Sequence, residues 1–182
     1  MQFTDLAIFD ASGKLILLAD QDRSRWDRRM ITEAGTLIEQ AARLRRPGPY
    51  QIQAALVACH AEAESWQVTD WPQVLALYDL LLCMTPSPVI RLNRAVALRY
   101  VAGPEGALAE VETLAGDLEG YHLFHAIRGA FLLELGQHEQ AHAAELRALA
   151  LTGNRAEQSL LHQRLNREER REILQVSSYE AR

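Results

Sequence analysis

Apolar positions recur every three or four residues over most of this 182-residue chain, which is the spacing of one face of an α-helix. Pro and Gly interrupt the pattern at regular distances and mark where one helix stops and the next begins. The pattern therefore predicts a succession of helices, with two final ones capped by Asn154 and Asn166. The earlier helices are predicted over residues 27–44, 50–64, 71–82, 89–101, 104–114, 121–135 and 138–151, with a loop bracketed by Gly116 and Gly120.

The helical part between Gly48 and Leu165 repeats itself with an offset of 33 to 34 residues, which aligns Gly103 with Gly136. Small residues recur where two antiparallel helices would approach each other. The clearest unit has them at Gly129, Gly136, Ala141 and Ala148. This is the length and pattern of a tetratricopeptide (TPR) unit. We expect an all-α, TPR-like array of helical hairpins with about eight or nine helices.

Two short apolar runs near the N terminus, at residues 6–9 and 14–18, flank a turn at residues 10–13 and predict a small β-hairpin. Two strands alone are marginal in water, so this hairpin should lean on a helix or on a neighbouring domain. We predict a hairpin and linker over residues 1–20 and the TPR-like domain over residues 21–182.

A charged segment leads from the hairpin into the first helix and ends in Ser24-x-x-Asp27, which has the form of a capping box. Asp70 and Ser87 are the predicted caps of the third and fourth helices. The first helix carries one apolar face, made of Met30, Ile31, Ala34, Leu37, Ile38, Ala41 and Leu44.

Composition narrows the classes of function. The chain is 48% hydrophobic, enough for a core that needs neither disulfides nor a metal ion. Its net charge of −5 opposes binding to a polyanion, since affinity for phosphates needs a local surplus of cations. Cys59 and Cys83 lie in apolar helical stretches without CxxC spacing, which predicts buried thiols in a reducing compartment. The longest apolar runs are too short to span a membrane, so we expect a soluble cytoplasmic protein without a cofactor.

Histidines supply the sharpest chemical motif. His138, Glu139 and His142 form a literal HExxH, which on a helix places two imidazoles one turn apart for zinc. No third ligand is obvious in the pattern, and the repeat puts both histidines on an outer face, so solvated or locally bonded histidines are favoured over a zinc hydrolase. His122 and His125 lie three residues apart and are a second candidate pair, against the alternative of histidines that bond neighbouring carbonyls.

The fourth helix carries a polar and cationic strip. Asn93 and Arg94, with Arg91 and Arg99, lie where the first helix of a TPR unit would line a concave groove and clamp a partner's backbone or carboxylate. Ordinary salt bridges between helices are the alternative.

A third candidate lies between hairpin and first helix. Asp22, Arg23 and Trp26 form a charged and aromatic cluster that could latch one domain to another. A plain N-terminal cap explains the same residues.

Many ordered blocks of this chain resemble the C-terminal extension of a group of bacterial extracytoplasmic-function (ECF) sigma factors, over nearly the whole length up to Leu165. The blocks are Leu17-Leu18-Ala19-Asp20-Gln21-Asp22-Arg23-Ser24-Arg25-Trp26-Asp27, Gly48-Pro49-Tyr50-Gln51-Ile52-Gln53-Ala54-Ala55, His60-Ala61-Glu62-Ala63, Thr69-Asp70-Trp71, Leu77-Tyr78-Asp79-Leu80-Leu81, Pro86-Ser87-Pro88-Val89, Leu92-Asn93-Arg94-Ala95-Val96-Ala97 and Gly120-Tyr121-His122-Leu123-Phe124-His125-Ala126.

The resemblance implies a TPR-like regulatory and protein-interaction module in transcription initiation. Its implied partners are the sigma core regions, RNA polymerase, and a signalling protein or peptide. The family's DNA-reading regions precede the hairpin and have no counterpart among these residues, so only the regulatory role carries over, without catalysis or direct binding of nucleic acid. A free-standing TPR-like adaptor stays open, as do self-association into a homo-oligomer and whether Met1 is the true start.

Overall fold

The computed structural model describes residues 8–9 and 15–166, which form a stack of α-helices. The predicted all-α, TPR-like architecture is confirmed. The helices are α1 (Arg28–Arg43), α2 (Pro49–Glu62), α3 (Trp71–Met84), α4 (Pro88–Ala102), α5 (Pro104–Glu112), α6 (Ala115–Leu118), α7 (His122–Glu134) and α8 (His138–Leu151). Residues 155–166 form a further helix, α9.

The N-terminal segment is described only in part. Strands β1 (Ile8–Phe9) and β2 (Leu15–Ile16) pair antiparallel, with Ile8 opposite Ile16. The turn between them lies outside the described residues, so the full hairpin stays a prediction. The same holds for the last helix, predicted behind Asn166. Two 3₁₀ turns, Leu18–Asp20 and Arg23–Arg25, lead from β2 into α1.

Most helices pack on the next one along the chain, so that α2 lies between α1 and α3, and α4 between α3 and α5. Helix α5 packs on α7, and the short α6 between them contacts α4. The tightest hairpin is α7 with α8, where an added Cβ on Gly129 would come within 3.3 Å of the carbonyl oxygen of Ala141. Gly136 ends this hairpin's first helix with a φ of 73°, and Gly103 between α4 and α5 has a φ of 90°. Glycine adopts this backbone conformation without steric cost. The small-residue positions of the predicted repeat are therefore confirmed.

Two clusters of buried side chains form most of the core. The first joins α2 and α3 and extends onto α4, and the second joins α4, α5 and α7. They are built from Ile52, Leu56, Trp71, Val74, Tyr78, Leu81 and Ala97, and from Leu92, Ala95, Ala107, Val111, Leu114, Leu118, Phe124 and Phe131.

The predicted capping box at the start of α1 is wrong. Asp27 itself is the N-cap, since its carboxylate accepts hydrogen bonds from the main-chain N–H groups of Arg29 at 3.0 Å and Met30 at 3.1 Å. Ser24 lies one turn earlier, where its N–H and hydroxyl both donate to Asp22, at 3.0 Å and 2.6 Å. Because Asp22 already engages Ser24, the serine side chain is not directed towards α1.

The predicted caps of the other helices have different outcomes. Asp70 accepts from the N–H of Gln73 at 3.0 Å and Asn154 accepts from that of Ala156 at 2.9 Å, so both are confirmed. Ser87 is the N-cap residue of α4 as predicted, and its main-chain oxygen accepts from the N–H of Arg91 at 3.0 Å, but its side chain makes no capping hydrogen bond.

The predicted loop between Gly116 and Gly120 contains the one-turn helix α6.

The two cysteines differ in exposure. Cys83 is exposed, against the prediction of a buried thiol, because it lies two residues beyond Leu81 and therefore on the opposite side of α3. Cys59 is half-buried, and this burial raises the pKa of its thiol to about 11.

Within residues 8–9 and 15–166, no helix has both the length and the apolar character that a membrane span requires.

Candidate interaction surfaces

Arg23 fastens the segment ahead of α1 to the end of α2. Its Nη1 donates hydrogen bonds to the main-chain carbonyl oxygens of His60 at 2.6 Å and Ala63 at 2.8 Å. These are carbonyls of the last turn of α2, where a cation also complements the helix dipole. The residue is only 4% exposed, and burial lowers the pKa of its guanidinium. Arg23 thus acts as a latch within the described part of the chain.

Of the other two residues of the predicted latch, Trp26 contacts Arg23 and Asp22 bonds to Ser24. Trp26 stacks against it, with the guanidinium carbon 5.1 Å from the centre of the indole ring. Asp22 caps the 3₁₀ turn through Ser24, and these hydrogen bonds lower the pKa of its carboxyl. A role for these residues towards another protein stays a prediction.

Four aromatic side chains pack behind Arg23. His60 stacks on Trp66 with ring centres 5.4 Å apart, Trp71 stacks on Tyr100 at 3.9 Å, and the two tryptophans meet edge to face at 4.7 Å. Trp66 donates from Nε1 to the hydroxyl of Tyr100 at 2.7 Å. Burial, reinforced by the charge of Arg23, lowers the pKa of His60 to about 4. The cluster orders the loop between α2 and α3 and ties it to the end of α4.

The cationic strip on α4 is engaged in ion pairs between helices. Arg94 bridges Asp79 of α3 at 2.5 Å and Glu110 of α5 at 2.6 Å. The hydrogen bonds to these carboxylates raise the pKa of Arg94 further. Arg99 pairs with Glu134 of α7, its Nε donating to the carboxylate at 2.8 Å. The salt-bridge alternative therefore describes these two arginines.

The other two residues of the strip differ from these arginines. Arg91 donates to the neutral hydroxyl of Thr113 at 3.0 Å, and Asn93, two residues further along α4, is half-buried. Whether Asn93 and Arg94 also contact a partner stays a prediction.

The histidines of α7 make local contacts. Nε2 of buried His125 lies 2.8 Å from the main-chain oxygen of Glu119, as the carbonyl alternative predicts. Nε2 of His122 lies 2.9 Å from a carboxylate oxygen of Glu157, which connects α7 to α9. Since these two imidazoles bind to different groups, the structure does not bring them together as a chelating pair.

The HExxH residues occupy the outer side of the first turns of α8. His138 and Glu139 are exposed and His142 is half-buried. The part of the chain that the structure describes holds no group of three or more His, Cys, Asp or Glu side chains placed to share a metal ion.

Helix α1 has a surface that the sequence reasoning did not single out. Its apolar face is present, but Met30, Leu37 and Leu44 are 62%, 60% and 73% exposed. The other side of α1, including Arg28, Ile31 and Gly35, faces a cleft of about 350 Å³ that Glu62 of α2 completes. Gly35 permits this close approach, since an added Cβ would come within 3.2 Å of the carboxylate of Glu62. We call the row Met30, Ala34, Leu37, Ala41 and Leu44 the α1 stripe, whose members are exposed except for the half-buried Ala41.

A regular signal for the α1 stripe was available in the sequence. Its five members are spaced four, three, four and three residues apart, which is the 3.5-residue period of a seam between two paired helices.

Parts of this chain are similar to known proteins. Residues 6–42, which include all but the last residue of α1, match a family described as "Family of unknown function (DUF6596)". An uncharacterized protein of Rhizobium meliloti (strain 1021) is 50% identical over 160 residues, which cover 88% of this chain and 38% of that relative. The chain therefore spans well under half the length of the relative.

The described helices are similar in fold to the first TPR domain of the human RPAP3 protein, whose structure was determined by NMR. The TM-score is 0.55 at 19% sequence identity, and the match covers 72% of this chain and 100% of the TPR domain. At this identity the likeness is one of fold, and it establishes a TPR-like array of helical hairpins.

Proposed function

We propose that this chain is a regulatory protein-interaction module of an ECF sigma factor, which modulates transcription initiation without binding DNA itself and without catalysing a reaction. The interaction role rests on one structural observation, the exposed α1 stripe on an otherwise well-packed array. Exposed rows of large apolar side chains are typical of surfaces that contact another protein.

The charge distribution supports contact with protein rather than with nucleic acid. Two arginines of the strip on α4, Arg94 and Arg99, are bound to carboxylates of neighbouring helices. A cation neutralised in this way releases no counterions from DNA and contributes little to its binding. The exposed arginines that flank α1 are separated by an apolar face rather than by further cations. The net charge of −5 acts in the same direction.

The assignment to transcription rests on the ordered blocks that resemble the ECF extension. The length of the Rhizobium relative agrees with it, since 62% of that protein lies outside the match and leaves room for further domains.

The Rhizobium relative allows a direct test. We expect the whole relative to bind bacterial RNA polymerase core and to direct promoter-dependent transcription, and removal of its matched part to change the transcript yield. A chimera in which residues 1–182 of this chain replace the matched part is the control, and it should restore regulation.

Two outcomes would contradict the proposal. If the whole relative neither binds polymerase nor supports transcription, the chain belongs to another process, such as a free-standing adaptor. If removal of the matched part leaves the yield unchanged, the module has no regulatory role.

A further inference from the structure

Among the residues that the structure describes, the large side chains of the α1 stripe are exposed. Each of the other helices within residues 15–166 contributes at least one buried side chain, whereas α1 contributes none. Successive residues of a helix are rotated by about 100°, which places Gly35, on the side facing α2, about 160° from Leu37. The stripe therefore points away from the array.

The dimensions of the stripe suit one further helix. From Met30 to Leu44 it is about 21 Å long, at a rise of about 1.5 Å per residue. It alternates large and small side chains, with methionine or leucine at every seventh position and alanine between. Alanine lets a facing helix approach closely, and the large side chains fit between the side chains of that helix.

The ends of the stripe carry positive charge. Arg29 lies at its beginning, and Arg45 and Arg46 lie just beyond its end. Arg28 lines the cleft on the other side of α1, and Arg43 lies 4.0 Å from the carboxylate of Glu39. All five are exposed, and between them lie only two acidic residues, Glu33 and Glu39. Segment 28–46 is thus cationic within a chain whose net charge is −5.

This charge pattern disfavours a second copy of the chain as the helix that binds to the stripe. In an antiparallel pair of two α1 helices centred on Leu37, the arginines at the start of one helix would meet those at the end of the other. In a parallel pair, each arginine group would face its own copy. Like charges brought together in this way oppose association, so a second copy of the chain is disfavoured.

We propose that the α1 stripe docks a single amphipathic helix of another polypeptide segment, with an apolar seam of 3.5-residue period and acidic side chains at both ends. This deepens the proposed interaction role by naming the chemistry of the partner, and it does not depend on whether that partner belongs to the transcription machinery.

The test uses two synthetic helical peptides of about 21 residues, equal in length to the stripe. Both have leucine at the a and d positions of each heptad, and they differ only in carrying glutamate or lysine at the flanking e and g positions. Fluorescence anisotropy with the full 182-residue chain should show that the glutamate peptide binds at least about tenfold more tightly than the lysine peptide.

Matched variants locate the binding. Leu37→Gln should weaken binding of the glutamate peptide about tenfold, whereas Leu146→Gln, at an exposed leucine of α8, should leave it unchanged. The double variant Arg29→Glu, Arg46→Glu should abolish the preference for glutamate over lysine, and Arg155→Glu should keep it. Circular dichroism of each variant verifies that the helices are intact.

Several results would overturn the inference. They are equal binding of both peptides, binding of neither, or loss of affinity in Leu146→Gln as large as in Leu37→Gln. Concentration-dependent dimerisation that Leu37→Gln abolishes would assign the stripe to a second copy. Sedimentation with phosphatidylglycerol vesicles that depends on Leu37 would assign it to a membrane surface. None of these results alters the transcription assay of the Rhizobium relative, so the two proposals fail separately.

Discussion

Arg23 and His60 are 37 positions apart in the chain and are joined by a 2.6 Å hydrogen bond from the guanidinium to the main-chain carbonyl. The same nitrogen also reaches the carbonyl of Ala63, so one side chain closes the end of α2. Because Arg23 precedes α1, it determines where α1 begins relative to α2.

Replacing Arg23 with Ala should lower the free energy of unfolding by about 2 kcal/mol, because two carbonyls lose a charged donor in a buried place. Arg25→Ala is the matched control, since Arg25 lies in the same 3₁₀ turn but is exposed. Urea denaturation of both variants measures the difference. Equal stability of the two would show that the buried hydrogen bonds contribute nothing.

His60 makes the stability dependent on pH. Its folded-state pKa is about 4, below the ordinary value of 6.5, so the unfolded chain takes up a proton that the folded chain refuses. The free energy of unfolding contributed by this group is therefore constant above pH 6.5, falls as the pH drops towards 4, and levels off below it.

Between pH 7 and pH 5 this loss amounts to ~2 kcal/mol. Denaturation curves at the two pH values, for the parent and for His60→Gln, isolate it, since all other groups titrate in both proteins. The difference between the two pH values should be smaller by ~2 kcal/mol in His60→Gln. The same pH dependence in both proteins would rule out His60 as its source.

Gly129 tests the close approach of α7 and α8. A Cβ there would meet the carbonyl of Ala141 at 3.3 Å and Cγ of Glu145 at 3.1 Å, so Gly129→Ala should destabilise the chain by about 2 kcal/mol.

Gly106→Ala provides the contrast, because a Cβ at Gly106 in α5 meets no atom within 4 Å. This change should stabilise the chain by about 0.5 kcal/mol through the better helix propensity of alanine. Thermal unfolding of the two variants should shift in opposite directions. A parallel shift would remove the steric argument for Gly129.

The HExxH motif should not hold zinc stoichiometrically. Zinc sites take four ligands, and the exposed turn of α8 supplies two imidazoles without a described third donor in their group. Metal analysis of protein purified without a histidine tag should find much less than one zinc per chain, and His138→Ala should not change this content. One zinc per chain that is lost in His138→Ala would reverse the assignment.

The sequence predicts the helical array well because its signals are local. Gly136 adopts a positive φ, and Gly129 lies close to the backbone of the neighbouring helix. Both conditions require a glycine at a fixed position of the repeat, and a glycine is visible in the sequence. Caps such as Asp70 act within three residues and can be predicted for the same reason.

The interaction surfaces depend on what lies opposite, which a local pattern does not contain. Periodicity predicts an apolar face on α1, but the exposure of Leu37 follows only from the position of α2 on the other side of the helix. The arginine strip of α4 is equally visible in the sequence. Its neutralisation requires Asp79 and Glu110, which lie 15 and 16 residues from Arg94 and become its neighbours only through folding.

The packing of most helices on a close neighbour along the chain also affects folding during synthesis. A nascent chain that leaves the ribosome N terminus first can complete one hairpin before the next has been translated, since the early helices wait for no distant segment. Apart from the α1 stripe, much of the apolar surface of a finished hairpin is covered once the following helices emerge, which shortens the time in which the growing polypeptide is prone to aggregate.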